Sequence, residues 1–347
     1  MRSRTFKTRL LAAALAIFSS CAAMGQETGT LGTLVGELVD RIEISGYAHA
    51  GYAYQDDGGS TTSSFNLKRA LIWGKAKITE RASFLFMHDF SSEVMEYYVD
   101  YRFSKGKQFN AKFGQYKHCF SIENPMSPRF TELVNVYSLS VACLAGGGGD
   151  PIYGTNYGRD IGITFYGDLF NDKFHYEVAL MNGQGINCSD GNSDKDVVAK
   201  LAYKPIPQLT IAISGRKGRG HAVGTADWNP DIEIGDNYRR DRLSAGAAFA
   251  NNRWGLRGEY LWGRDGSVTS QGAYLTGRLT VAKNWDVVAS VDYFDRNIDM
   301  DYDQTNLVAG VQYWYFKNCR LQLQYTRAFR QFADNYNMLQ AQIQVAF

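Results

Sequence analysis

The chain has 347 residues, of which 45% are apolar, 14% aromatic and 21% charged, with 35 Gly and only 6 Pro. No apolar run beyond the N-terminal leader approaches the ~18 residues a spanning helix needs, which excludes a helical membrane protein, and the wealth of aromatic and β-branched residues excludes disorder. The net charge of +2 rests on Arg2, Arg4, Lys7 and Arg9; without the first 25 residues, 33 basic residues face 35 acidic ones. A strongly basic nucleic-acid binder is thereby excluded.

Residues 1–25 read as an export signal. Arg2 to Arg9 is a positive head, Leu10 to Phe18 an apolar core too short to span, and Ala23-Met24-Gly25 a small-residue cleavage site. The competing reading is a lipoprotein with Cys21 lipidated; Phe18, three residues before it, fits that poorly. Residues 26–41, with an amphipathic stretch from Leu31 to Val39, read as a short periplasmic segment before a domain spanning 42–347.

From there the chain alternates. Segments 42–54, 65–78, 81–90, 94–103, 109–116, 159–167, 173–181, 194–203, 208–216, 241–250, 253–262, 272–282, 285–294, 305–316, 319–330 and 337–347 carry apolar residues at every second position. Period 2 means strands with one apolar face. The last segment is clearest: Leu339, Ala341, Ile343, Val345 and Phe347 alternate with Met338, Gln340, Gln342, Gln344 and Ala346. Short connections (such as 251–252, 283–284 and 317–318) alternate with longer ones (117–158, 182–193, 217–240, 263–271), and the six prolines fall between the segments. An even number of strands with tight turns at one end and long loops at the other is the pattern of an outer-membrane barrel. A soluble sandwich explains neither that alternation of lengths nor the aromatic residues at strand ends. The expected fold is all-β: a 16-stranded antiparallel transmembrane β-barrel. A barrel of that size leaves an aqueous channel. The long connection 117–158 is expected to fold inward as the third outer loop and constrict the pore.

Five segments then carry a resemblance: NLKRALIWGKAKI at 66–78, FNAKFGQYKHCFSIE at 109–123, YGRDIGITFYG at 157–167, YEVALMNGQGIN at 176–187 and KDVVAKLAYKP at 195–205. In order and spacing they resemble the phosphate-selective porin O/P family, most specifically between residues 65 and 215. Phe347 resembles the terminal assembly signal of outer-membrane proteins. The resemblance implies a sixteen-stranded porin, often trimeric, in the outer membrane of a Gram-negative bacterium. Its partners would be outer-membrane lipid and small hydrophilic or anionic solutes. Members selective for phosphate cluster basic residues at the constriction. Here the long loop holds Lys117, Arg129 and, at its return, Arg159, with Glu123, Glu132, Asp150 and the run Gly146–Gly149 among them.

Parity assigns inward positions. The basic ones are Arg69, Lys75, Lys77, Arg102, Lys112, Lys200, Arg216, Arg242, Arg257, Arg278 and Arg320; the acidic ones are Asp89, Glu96, Asp100, Glu177, Asp196, Glu259, Asp286 and Asp292. Facing rows of opposite charge would bias which ions pass. Arg216, Lys217, Arg219, His221, Arg239, Arg240 and Arg242 make connection 217–240 basic at both ends. Two readings are open for it: attraction of anionic solutes to the mouth, or bridging to phosphates of the outer-leaflet glycolipid. Cys119 and Cys143 could clasp the long loop, with Cys188 as competing partner and Cys319 free. The histidines are scattered without metal-ligand spacing, and no nucleophile or metalloprotease motif occurs. No cofactor and no enzymatic activity are expected. The expected function is passive diffusion of small hydrophilic solutes, with a weak anion preference. The alternatives are a phosphate-specific channel and, from another class, a barrel enzyme.

Overall fold

The computed structural model describes residues 41–347. The export signal and nearly all of the proposed periplasmic segment lie outside the described residues.

Sixteen strands follow one another: β1 (Ile42–Asp56), β2 (Thr61–Lys77), β3 (Ala82–Asp89), β4 (Val94–Arg102), β5 (Asn110–Lys117), β6 (Arg159–Leu169), β7 (Phe174–Met181), β8 (Asp196–Ile206), β9 (Leu209–His221), β10 (Asn237–Ala250), β11 (Trp254–Asp265), β12 (Val268–Ala282), β13 (Trp285–Asp295), β14 (Asp303–Phe316), β15 (Cys319–Arg330) and β16 (Tyr336–Ala346). Each pairs antiparallel with its neighbours, and β1 pairs with β16 to close the barrel. Closure is tight. Gly46 and Phe347 exchange backbone bonds of 3.0 and 3.3 Å, and a Cβ on Gly46 would lie 2.7 Å from the Phe347 ring. A closed ladder satisfies every strand without an edge, the requirement for crossing hydrocarbon with β structure.

The alternation sets the faces. Val287, Val291, Leu321, Leu323, Ile343 and Val345 are exposed on the outer surface, whereas Asp286, Ser290, Gln322 and Gln344 between them point inward and are buried. Outward aromatics mark two girdles. On β13, Trp285 and Tyr293 stand eight residues apart, roughly 26 Å along the strand at ~3.3 Å per residue. With strand tilt this matches the ~25 Å apolar band of an outer-membrane barrel. Two tight turns, Lys283-Asn284 and Lys317-Asn318, put asparagine in the left-handed region (φ 68° and 60°), which its short polar side chain tolerates.

The sixteen expected strands are all present, but several run further. Strands β9 and β10 extend to His221 and Asn237, so connection 217–240 shrinks to 222–236; connection 263–271 shrinks to Gly266-Ser267. The ladder continues past the apolar band, where polar outward residues no longer alternate with apolar ones. Pro205 lies inside β8 rather than between strands. The pairing with β9 is irregular there, between Tyr203 and Ile206, so no ladder bond is lost to the missing N–H.

Candidate functional site: a lumen narrowed by one loop

The connection from His118 to Gly158 folds into the barrel. Gly114 in β5 (φ 136°), where a Cβ would meet Tyr97 O at 2.2 Å, turns the strand just below its root. The root is closed on itself. His118 N donates to Gly158 O (3.2 Å), and Asn124 Nδ2 donates to His118 O (2.9 Å) and Gly158 O (3.0 Å).

Three arcs of the wall then grip the loop. On β11, Glu259 accepts from Ser121 Oγ (2.6 Å), Ile122 N (2.8 Å) and Glu123 N (3.3 Å), as well as from Ser244 Oγ and Tyr274 Oη. Two residues back on the same strand, Arg257 pairs with Glu123 (3.0 Å) and Glu132 (2.9 Å). On β13, Asp292 accepts from Leu139 N (2.5 Å) at the start of a six-residue helix, α1 (Leu139–Leu144). Val141 and Leu144 of α1 pack with Leu261, Tyr274 and Phe294 of the wall in an apolar seal. On β15 and β16, Arg320 donates to Thr131 O (2.8 Å), Gln322 and Gln324 to Glu132 O (3.1 and 2.7 Å), and Gln344 to Arg129 O (3.3 Å).

Toward the outer end, buried ion pairs complete the attachment. Arg216 pairs with Asp196 and with Asp160 (3.3 Å), and Arg240 pairs with Asp196 (2.9 Å) while lying 4.1 Å over the Tyr153 ring. Arg242 holds Asp265 with two bonds (2.8 and 3.0 Å). His118, inside this network, is held down to about 3 by burial and by the Arg216 cation beside it. It is therefore neutral, and its Nε2 lies 3.1 Å from Ala145 O.

The sequence-assigned cations divide into two groups. Arg216, Arg242, Arg257 and Arg320 point inward as parity requires, yet all are buried against the loop or in ion pairs. Lys200 donates to Ser121 O (2.9 Å), and Arg278 pairs with Asp286 (3.4 Å). Two of the three loop cations are also consumed. Lys117 donates to Asn124 O and Met126 O (2.8 and 2.7 Å), and Arg159 pairs with Glu96 (2.7 Å). The expectation that these residues bare their charge to the passage is corrected: the loop takes up the donors of Lys117, Lys200, Arg257 and Arg320, and wall carboxylates pair with Arg159, Arg216, Arg242 and Arg278. The cysteine clasp is corrected too. Cys119 and Cys143 are free and buried; Cys143 Sγ donates to Gly149 O at 3.7 Å instead of bridging.

The second group stays open to water. Arg69, Lys75, Lys77, Arg102 and Lys112 lie on β2, β4 and β5, and Arg129, at the loop's far reach, stands 5.6 Å over Trp73 of β2. Arg69 and Arg159 are close enough to Tyr137 in the loop to oppose the rise that burial imposes on its phenol. Lys112 sits among the Tyr98, Tyr116 and Tyr166 rings at 4.8, 5.0 and 5.6 Å. Toward the short-turn end, Lys75, Lys77, Arg81, Arg102 and Lys107 line a recess of about 360 Å³ with Glu80, Asp100 and Asp168. Tyr47 and His49 face inward, where His49 is bound to Gln344 (2.9 Å) and buried. Sequence reasoning missed the amides of β15 and β16 as a docking surface. Their spacing, Gln322, Gln324, Gln340, Gln342 and Gln344, was the available signal.

No known family profile matches the sequence, and no curated protein matches it either. Solved structures do. An anion-selective porin from Comamonas acidovorans superposes with a TM-score of 0.65 at 14% identity, covering 88% of this chain and 99% of that one. Salmonella typhi OmpF, in complex with daunomycin, gives 0.65 at 14%, covering 88% and 97%. The outer membrane channel DcaP of Acinetobacter baumannii gives 0.60 at 11%, again covering 88% and 97%. At these identities the likeness is one of fold: the chain has the sixteen-stranded porin architecture.

Proposed function

We propose that this chain is an outer-membrane porin of a Gram-negative bacterium, a homotrimer passing small hydrophilic solutes by diffusion with a weak preference for anions. The observation that carries the reading is the division of the lumen. One loop is pinned across β9–β16, and the passage left beside β2–β6 is bordered by Arg69, Lys75, Lys77, Arg102, Lys112 and Arg129 against Glu43, Asp100 and Asp168. A cationic excess at a narrow aperture acts where screening is weak, so it biases ion passage more than the near-neutral charge of the whole chain. The anion-selective porin among the structural neighbours supports the same preference. The resemblance of residues 65–215 to the phosphate-selective O/P porins is the finer version of this reading. Several of the cations that would build a tight phosphate site are already paired, which favours weak selectivity over specific capture.

Reversal potentials of the purified protein in a planar bilayer, under a salt gradient, test the proposal. A stable conductance with a potential of anionic sign is expected. Absence of channels overturns the porin reading; block of the current by micromolar phosphate replaces weak preference with specific binding.

A further inference from the structure

The basic stretch flanking 222–236 is not one feature but two. Along β9 and β10, the pleat sends Arg216, Arg240 and Arg242 inward, where they are buried in ion pairs, and sends Lys217, Arg219 and Arg239 outward, where they are exposed. The outward set stands on the surface that a few residues further along carries Val197, Ile213, Leu243 and Tyr260, all exposed and apolar. Arg239 is four residues beyond Leu243, roughly 13 Å along the strand. That is the depth of headgroups above the acyl chains.

Three observations make this rim more than a solvated edge. Arg219 and Arg239 are directly opposed across the β9–β10 ladder, an arrangement of like charges that destabilises a sheet and that the Asp241 carboxylate, ion-paired with Arg239, offsets only in part. Lys217 has no carboxylate within ion-pair reach among the described residues, and Arg219 reaches Asp194 only at 3.6 Å. A recess of about 590 Å³ opens between these side chains, lined by Lys195, Lys217, Arg219 and Arg239 against Asp194 and Asp241. The guanidinium groups offer forked donors suited to phosphate oxygens.

We propose that the outer rim of β8–β10 is a binding site for the phosphorylated headgroup of an acylated glycolipid in the outer leaflet, with its acyl chains lying over Val197, Ile213 and Leu243. The site rests on the proposed outer-membrane orientation, in which 222–236 faces outside. Cations fixed in the wall would hold the lipid's phosphate as divalent ions otherwise do, so binding survives chelation.

The test uses the delipidated full barrel in detergent, with bisphosphorylated lipid A as probe, its dephosphorylated form as comparison, and native mass spectrometry as readout. The wild type is expected to retain the bisphosphorylated probe about tenfold better than the dephosphorylated one, in the presence of EDTA and of excess inorganic phosphate. The combined change Lys217→Gln, Arg219→Gln and Arg239→Gln should abolish that preference, while Asp194→Asn should strengthen it. Equal retention of both lipids, displacement by inorganic phosphate, or an unaltered triple variant overturns the site. If the triple variant fails to form a heat-modifiable barrel, Lys217→Gln alone decides, since it breaks no ion pair; an unchanged preference then overturns the proposal. Single-channel conductance of the same variants should be unaltered, because the altered side chains face away from the lumen. Loss of channels in the wild type would instead count against the porin reading.

Discussion

The two halves of the lumen wall answer the same problem differently. On β14–β16, Gln312, Gln322, Gln324, Gln340, Gln342 and Gln344 face inward and are almost fully buried. Amides both donate and accept, so they pair with one another (Gln342 to Gln322, 2.8 Å) and with loop carbonyls, and Arg320 is the cation among them that reaches the loop. On β2–β5 the inward residues include Arg69, Lys75, Lys77, Arg102 and Lys112, which remain at least partly in water. A buried lysine without a partner would be costly, so this cation row requires the loop to lie elsewhere. The amide side holds the loop; the cationic side borders what the loop leaves open. The distribution of side chains thus specifies where the passage runs.

The sharpest way to break this division is to release the loop. Glu259→Ala strips the acceptor from Ser121, Ile122 and Glu123 at once and leaves those donors buried. Each buried donor left without an acceptor costs about 1–3 kcal/mol. The loop should detach from β11, raising single-channel conductance and admitting larger sugars in liposome swelling. Unchanged conductance together with unchanged sugar cut-off would show that the loop does not restrict the pore.

Next in size is the charge of the open side. Arg69→Glu with Lys75→Glu reverses two positions on β2 and should move the reversal potential toward cations while the barrel still assembles. Arg278→Gln, on the opposite half, removes a cation already paired with Asp286 and should leave the potential where it was. Equal shifts in both variants would erase the distinction between the two halves.

Much of this was legible in the sequence because period 2 is a local property. It gave all sixteen strands and the correct inward side for Arg216, Glu259, Asp292 and Arg320. What parity cannot give is whether an inward charge meets water or protein. Arg257 and Lys75 look alike in the sequence; one pairs with Glu123 and Glu132 and the other is exposed, because the loop lands on β11 and not on β2. Where the loop lands depends on contacts more than a hundred residues apart, such as Ser121 with Glu259. Strand ends were misjudged for a related reason: beyond the apolar band, Lys217, Arg219 and Arg239 still alternate, but no longer as apolar against polar.

Acidity probes the attachment more gently. His118 is held down to about 3 by burial, against about 6.5 for a free imidazole. The released loop would bind a proton below 6.5 that the docked loop refuses. Docking is therefore at full strength above pH 6.5 and weakens as pH falls toward 3, by up to about 1.4 kcal/mol per unit. Current noise from loop excursions should rise on acidification, and His118→Gln should flatten that rise relative to wild type. Other buried carboxylates titrate in both proteins, so the difference between the two isolates His118. Identical profiles would show that the imidazole stays in place when protonated.

The smallest effect is expected at the two cysteines of the long loop. Cys119 and Cys143 share one apolar cluster with Phe120, Val141 and Leu144, and both thiols are free. Burial raises Cys143 to about 11, so it stays protonated and a poor nucleophile at neutral pH. Its Sγ is engaged with Gly149 O, and the loop is already fixed by Glu259, Arg257 and the amides of β15 and β16. A disulfide is therefore not needed to hold the constriction. Reducing agent should leave conductance and selectivity unaltered, and Cys119→Ala with Cys143→Ala should cost only the packing of two small groups, about 1–2 kcal/mol together. Mass mapping of the unreduced protein should return both thiols free. A 119–143 bridge, or a conductance that changes with dithiothreitol, would mean that the contacts of β11, β15 and β16 do not hold the loop unaided, and the contrast between the two halves would lose its physical basis.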